Sequence, residues 1–181
     1  MIYKKNKLTI DSFNIEFLAK KFKTPIYCYS FKKLRENILN FKKKFQKINP
    51  LICFAVKSNT NIKILAEIKK FNLGADVVSA GELMKALKVG INPKKIVFSG
   101  VGKTASEIEY AINNKILLIN AESKSEILEI EKIAKQKKRV VNIGIRLNPN
   151  TDAKTISQIS TGKKENKFGV DEKEFLNLVE Y

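Results

Sequence analysis

The chain has 181 residues, a formal net charge of +17, 44% hydrophobic residues and no histidine. That length and apolar content fit a globular domain with its own core, not a disordered chain, and no apolar run reaches the roughly 18 residues a membrane helix needs. Without histidine, Ser–His–Asp and Cys–His catalysis is impossible within the chain, and the commonest metal ligand is missing.

The N-terminus lacks the apolar core of a secretory signal. With Cys28 and Cys53 alone, no disulfide framework is expected, and a reducing, cytoplasmic setting fits. The charge invites a nucleic-acid reading. However, the lysines run the whole length of the chain, and only Arg35, Arg139 and Arg146 are arginine. That is a biased composition rather than a binding stripe, so no nucleic-acid partner is expected.

In chain order, Ile15–Phe22 reads as a short helix ended by Thr24-Pro25, and Ile26–Tyr29 as a short strand. Ser30 is the N-cap of a helix running to about Asn49, with Phe31, Leu34, Ile38, Phe41 and Phe45 on one face and the lysines on the other. Pro50 precedes the apolar run Leu51–Val56, a buried strand that ends at Lys57. A helix follows at about 61–72, stopped by Gly74. Strand Ala75–Val78 leads to helix Ala80–Lys88, capped by Gly90. Strand Ile96–Phe98 leads to a helix at about 105–114. Strand Ile116–Ile119 leads to a helix at about 124–137. Strand Val140–Leu147 ends at Asn148-Pro149, and a polar loop of about twenty residues precedes a helix starting at Asp171.

This alternation means βαβ units and a parallel sheet. Three helix starts carry the spacing of a capping box: Ser79 with Glu82, Thr104 with Glu107, Ser123 with Glu126. Strand phase then separates two kinds of sheet. Leu51, Cys53, Ala55 and Lys57 share one face, and Ile52, Phe54 and Val56 the other. In the last strand Asn142, Gly144, Arg146 and Asn148 share a face, opposite Val141, Ile143, Ile145 and Leu147. An open, doubly wound sheet would be aliphatic on both faces. A barrel with a small and polar interior fits better, and Lys57 and Arg146 then lie at its C-terminal rim. A full (β/α)8 barrel needs about 250 residues, so the fold class expected is α/β, a partial (β/α)8 TIM barrel of about five strands. Residues 31–181 would form it.

Each candidate residue has a plain alternative. Lys57 is either the point where a core strand meets water or, in a rim with a second cation nearby, an amine suited to Schiff-base chemistry. Asp76 lies inside an apolar strand and needs a cation or donors, Lys57 being the obvious candidate. Arg146 either meets an anion or makes a rim salt bridge with Asp76 or Glu122. Glu82 is accounted for by capping. Gly100-Val-Gly102-Lys103-Thr104 fails as a Walker loop, since the first glycine would fall at Val97. Gly100-x-Gly102-x-x-Ala105 has the spacing of a dinucleotide fingerprint, but it sits in the third βα unit, and the capping box already explains Thr104. No metal site is expected.

A set of motifs carries a resemblance. Phe54-Ala-Val-Lys-Ser-Asn59, Gly74-Ala-Asp-Val-Val-Ser-Ala-Gly-Glu-Leu83, Ile96-Val-Phe-Ser-Gly-Val-Gly-Lys-Thr104, Asn120-Ala-Glu-Ser123, Arg146-Leu-Asn-Pro149, Ile159-Ser-Thr-Gly162 and Lys167-Phe-Gly169 occur in this order. Together they resemble the group 2 decarboxylases of ornithine, diaminopimelate and arginine, pyridoxal-phosphate enzymes with an alanine-racemase-like barrel. The resemblance implies a barrel joined to a β-sandwich domain, with residues 1–30 contributing to the latter. It implies pyridoxal 5'-phosphate bound by Lys57, with Asp76 and Arg146 also near the cofactor. It implies a homodimer acting on an amino-acid substrate, and within the family the motifs point to meso-diaminopimelate, decarboxylated to L-lysine. The alternatives are another basic amino acid, a carboxylated polyamine, or a product without catalysis. One departure is the segment Thr155-Ile-Ser-Gln158, which lacks the histidine usual before Ser-Thr-Gly. The expected glycine-rich phosphate loop and substrate-binding cysteine would follow residue 181, so the chain by itself is expected to be an inactive N-terminal part.

Overall fold

A computed structural model describes residues 2–4, 6–151 and 168–180. The Ser160-Thr161-Gly162 motif, Thr155–Gln158 and Lys167 lie outside the described residues. The chain divides into two compact units, Met1–Pro50 and Leu51–Tyr181.

In the first unit, β1 (Ile2–Lys4), β2 (Lys7–Ile10) and β3 (Phe13–Asn14) form an antiparallel meander. The β2–β3 turn, Asp11-Ser12, has both φ values positive (47° and 77°), the combination that matches strand twist in a two-residue hairpin. Helix α1 (Ile15–Phe22) is capped by Asn14, whose Oδ1 accepts from Glu16 N at 2.7 Å. Helix α2 (Phe31–Phe45) is capped by Ser30, whose Oγ accepts from Lys33 N at 2.9 Å and donates to Asp11 Oδ1 at 2.6 Å. Ile38 is buried and the rings of Phe41 and Phe45 stand 4.7 Å apart, on the apolar stripe read from the sequence. The strand expected at Ile26–Tyr29 does not form: that segment pairs with no strand among the described residues.

The second unit alternates β4 (Cys53–Ala55), α3 (Ile62–Lys70), β5 (Gly74–Val77), α4 (Ala80–Lys88), β6 (Ile96–Ser99), α5 (Ala105–Asn113), β7 (Leu118–Ala121), α6 (Lys124–Gln136), β8 (Ile143–Ile145) and α7 (Glu172–Glu180). The strands are parallel and pair strictly in sequence order, β4 to β8. A doubly wound sheet reverses its strand order at a switch point, and this one never does. The winding is that of a (β/α) barrel, seen as an arc of five strands.

The register separates the two faces as expected. Val56, Ala75, Val77, Ile96, Phe98, Ile119 and Ala121 form the core with helix residues Leu65, Leu83, Ile108, Ile112, Ile127 and Ile130. The opposite face carries Cys53, Ala55, Asp76, Val97, Ser99, Asn120 and Gly144, all half-buried. Leu147 and Val170 extend the sheet by one parallel bridge beyond β8.

Gly74 does a different job from the one read in the sequence. Helix α3 ends instead at Asn72, in the left-handed region at φ 59°, a conformation that asparagine tolerates at a helix end. Gly74 opens β5, where a Cβ would run into the Lys95 carbonyl oxygen and stand 2.7 Å from Cys53 Sγ. It is glycine because the sheet is closed tightly there.

The three expected capping boxes are also only partly built. In each, the hydroxyl accepts from the N3 amide. Only Thr104–Glu107 is reciprocal. Glu82 reaches one residue further back, to Val78 N at 2.9 Å. Glu126 turns to Lys103 instead.

Candidate active site

The sheet's C-terminal rim is where the sequence places its polar inward-facing residues. The apolar strand stops sooner than its hydrophobicity suggests. After Ala55 the chain makes one turn of 3-10 helix, Val56–Ser58. Val56 is fully buried and Lys57 is exposed. Each neighbour of Lys57 is pinned. Ser58 Oγ donates to Ala55 O at 2.7 Å, and Asn59 N donates to Val56 O at 3.0 Å. Asn59 Oδ1 accepts from Asn61 N, and Asn61 Oδ1 caps α3 through Lys63 N at 2.9 Å. Lys85 of α4 donates Nζ to Thr60 Oγ1 at 3.1 Å. The Lys57 ammonium has no hydrogen bond or ion pair among the described residues.

Asp76 lies in register with Ala55 of β4 and Val97 of β6, on the inner face. The expected Lys57–Asp76 bond is not formed. Asp76 Oδ1 is buried with no hydrogen-bond partner among the described residues. An orphaned buried acceptor costs about 1–3 kcal/mol, so such an atom marks a place where a donor belongs. Cys53, one register step earlier on the same face, feels it: burial first and the Asp76 carboxylate second push its thiol up from the ordinary range.

Arg146 takes the salt-bridge option, with Glu122 rather than Asp76. Its Nη1 donates to Glu122 Oε1 at 2.9 Å and Oε2 at 3.3 Å, and its guanidinium sits 4.9 Å from the Phe168 ring centre. Nη2 and Nε make no hydrogen bond among the described residues.

Between these groups the inner face is small and polar. Asn120 Nδ2 donates to Ser99 Oγ at 2.9 Å, and Gly144 makes room for the Asn120 amide, which a Cβ there would strike.

Two tempting features are consumed by structure. Glu82 is buried and spent on the start of α4. In the Gly100–Thr104 loop, Gly100 passes Val78 so closely that a Cβ would stand 3.0 Å from its carbonyl oxygen, and Gly102 has φ 68°. Packing and turn geometry thus account for both glycines, and the dinucleotide reading loses its ground.

The sequence did not reveal Lys103. Its side chain is 1% exposed, and Nζ donates to Gly100 O at 2.6 Å, to Asn120 O at 2.7 Å and to Glu126. Nor did it reveal that Glu107 serves two helices, accepting from Thr104 N at 3.1 Å and Ala80 N at 2.9 Å. Nothing marks one buried lysine among 35 basic residues. For Glu107 the only signal is the box spacing, which concerns its own helix.

Residues 31–180 match the family described as pyridoxal-dependent decarboxylase, pyridoxal binding domain. Diaminopimelate decarboxylase of Helicobacter pylori strain J99 is 52% identical over 166 residues, covering 92% of this chain and 41% of that protein. The enzyme of the same name from Aquifex aeolicus is 40% identical over 179 residues, 99% of this chain and 42% of that protein. Among solved structures, diaminopimelate decarboxylase from Helicobacter pylori complexed with L-lysine aligns with a TM-score of 0.87 at 51% identity, covering 91% of this chain and 42% of that one. The enzyme from M. jannaschii in co-complex with L-lysine gives 0.89 at 35% identity, with 98% and 43% covered. The chain thus spans about two fifths of the length of the relatives it matches.

Proposed function

Since the chain belongs to the pyridoxal-dependent decarboxylases, through their pyridoxal-binding domain, we propose that its rim is the lysine-bearing half of a pyridoxal-phosphate site. The protein would decarboxylate meso-diaminopimelate to L-lysine and carbon dioxide. The observation that carries this is the pair of unmet groups at the rim: a free Lys57 ammonium on a rigid turn, and the buried, donorless Asp76 Oδ1 on the next strand. The substrate assignment rests on the relatives named above at 35–52% identity, of which the Helicobacter pylori and M. jannaschii structures hold L-lysine.

Pyridoxal phosphate, held by Lys57, would supply an electron sink for the bond that loses carbon dioxide. The chain's own part is to hold and to orient. The turn Val56–Ser58 fixes the Lys57 backbone, so the flexible stem alone decides where Nζ goes. Exposure leaves Nζ open to a substrate amine. Asp76 would accept a hydrogen bond from a cationic nitrogen brought to the rim, and so lose its desolvation penalty. Arg146 would offer Nη2 and Nε to an anionic oxygen, since Nη1 is already committed. The small inner face, Ala55, Ser99 and Gly144, leaves space for a planar ring.

In the same reading, the antiparallel sheet of residues 2–14 belongs to a separate β domain and the protein works as a cytoplasmic homodimer. A sequence with only two cysteines, Cys28 and Cys53, supports the location, and the family resemblance supports the rest.

Borohydride reduction in the presence of pyridoxal phosphate tests the core of this. In the intact protein, peptide mapping should find the pyridoxyl mass on Lys57 at near-stoichiometric yield, and Lys57→Arg should abolish it. A label scattered over many lysines, or undiminished in Lys57→Arg, would remove Lys57 from the site.

A further inference from the structure

We infer that Glu122 is a positioning residue that acts through Arg146: it sets the guanidinium so that Nη2 and Nε face the rim. This rests on the reading above, in which Arg146 contacts the cofactor or its substrate. The Glu122 side chain is 5% exposed and that of Arg146 39%. The carboxylate is therefore the fixed partner, and the arginine is the one with freedom to lose. Three restraints act on that arginine. Glu122 takes Nη1 with both oxygens. The Phe168 ring lies against the guanidinium. The backbone is held on both sides, by Arg146 N to Ala121 O at 2.9 Å and Val170 N to Arg146 O at 2.9 Å.

Glu122 fixes the third element as well, since Oε2 accepts from Gly169 N at 3.1 Å. Gly169 has φ 75°, and a Cβ there would stand 3.1 Å from Arg146 Cγ. The carboxylate thus draws the 168–170 backbone onto the arginine stem, which carries Phe168 to the guanidinium. Glu122 sits one residue before the Ser123 cap, so the end of β7, the end of β8 and the 168–170 segment meet on one carboxylate. An arginine free of it would spread its donors over many rotamers, and a long arginine side chain has much rotamer entropy to lose on binding. A preset fork leaves less of that loss to the binding step.

The test is a coupling measurement in the intact protein, read as the pyridoxal-phosphate concentration that half-saturates borohydride trapping at Lys57. Four proteins are compared: wild type, Arg146→Ala, Glu122→Gln and the double variant. The expected result is weaker binding in Arg146→Ala, about tenfold weaker binding in Glu122→Gln, and a double variant no weaker than Arg146→Ala. If Arg146→Ala weakens binding and Glu122→Gln does not, the inference falls and the site reading stands. If the two losses multiply, Glu122 acts on its own and the inference also falls. If Arg146→Ala binds normally, the reading of Arg146 fails, and the inference with it. Should Glu122→Gln not fold, Glu122→Asp takes its place; it keeps the charge one methylene short, and its loss must likewise vanish without Arg146.

Discussion

Replacing Lys103 by methionine should be among the most damaging changes in the second unit, although the residue touches nothing that reacts. Methionine keeps most of the stem and deletes the ammonium. Three acceptors then lose their donor together: the Gly100 and Asn120 carbonyls and the Glu126 carboxylate, whose side chain is 9% exposed. Breaking a buried pair from one side costs about 3–5 kcal/mol, because a charge is left without compensation. A neighbouring cleft, lined by Gly102, Lys103, Glu122 and Glu126, gives water a way to the stranded carboxylate and pulls the expectation to the lower end, about 3 kcal/mol. At roughly 2–4 °C per kcal/mol for a domain of this size, Tm should fall by about 6–12 °C. Differential scanning fluorimetry of the intact protein reads this directly. The companion is Lys103→Met with Glu126→Leu, which removes the stranded charge and should recover at least half of the loss. A single variant that melts within about 2 °C of wild type, or a double variant no better than the single, would refute the reasoning.

Glu107 gives a prediction in pH. Hydrogen bonds from the Ala80 and Thr104 amides hold its carboxyl below the ordinary range in the folded state. Its contribution is therefore present above the unfolded carboxylate value and is lost as pH falls through the lower, folded value. Glu107→Gln should lower stability at neutral pH by the worth of a cap, about 1–2 kcal/mol, and lower Tm accordingly, with the gap to wild type closing in acid; a gap that stays constant into acid would contradict the two-helix cap. Cys53 gives another. Burial, and secondarily Asp76, raise its thiol, so iodoacetamide should modify exposed Cys28 first. Asp76→Asn should bring the pH midpoint of Cys53 alkylation down by only part of its displacement, and an unchanged midpoint would show that the carboxylate does not face the thiol. Removing the lesser cause must leave the burial contribution in place.

What the sequence made legible was whatever has a period or a fixed spacing. Strand phase separated the Cys53–Ala55 face from Phe54, though the strand ends before Lys57 in a 3-10 turn, and the same phase in Val140–Leu147 told a barrel from an open sheet. Helix α4 was read to its boundaries because Ser79 and Gly90 mark both ends. Relations between strands were not legible. Gly74 looks like a helix stop because Gly usually is one; its actual reason, the Lys95 carbonyl and Cys53 sulfur, comes from chain 21 residues away on either side. Glu126 has capping-box spacing, yet a buried ammonium competes for its carboxylate more strongly than a solvated amide does. Ile26–Tyr29 has strand composition but no edge to pair with among the described residues, and composition without a partner makes no strand.

The rim shows where chemistry remains once structure has taken its share. Three cations there look equivalent in the sequence. Lys103 is surrounded by three acceptors, so it is a strut. Arg146 gives one nitrogen to Glu122 and keeps two, so it is held and still able to bind. Lys57 has a fixed backbone and an uncommitted ammonium, and the carboxylate nearest it in the sheet register has an oxygen with no donor. A fold selected for stability alone would close that last pair, as it closes Lys103 with Glu126. Broken local rules gather at functional sites, and here the two broken rules are neighbours. That makes a sharper discriminator than the presence of a lysine at a strand end. If Asp76 were merely structural, Asp76→Asn would stabilise the protein without ligand and leave pyridoxal-phosphate trapping at Lys57 unchanged. If Lys57 and Asp76 form the site, the same substitution should relieve the ligand-free protein and weaken trapping. Stability and binding then move in opposite directions in one variant.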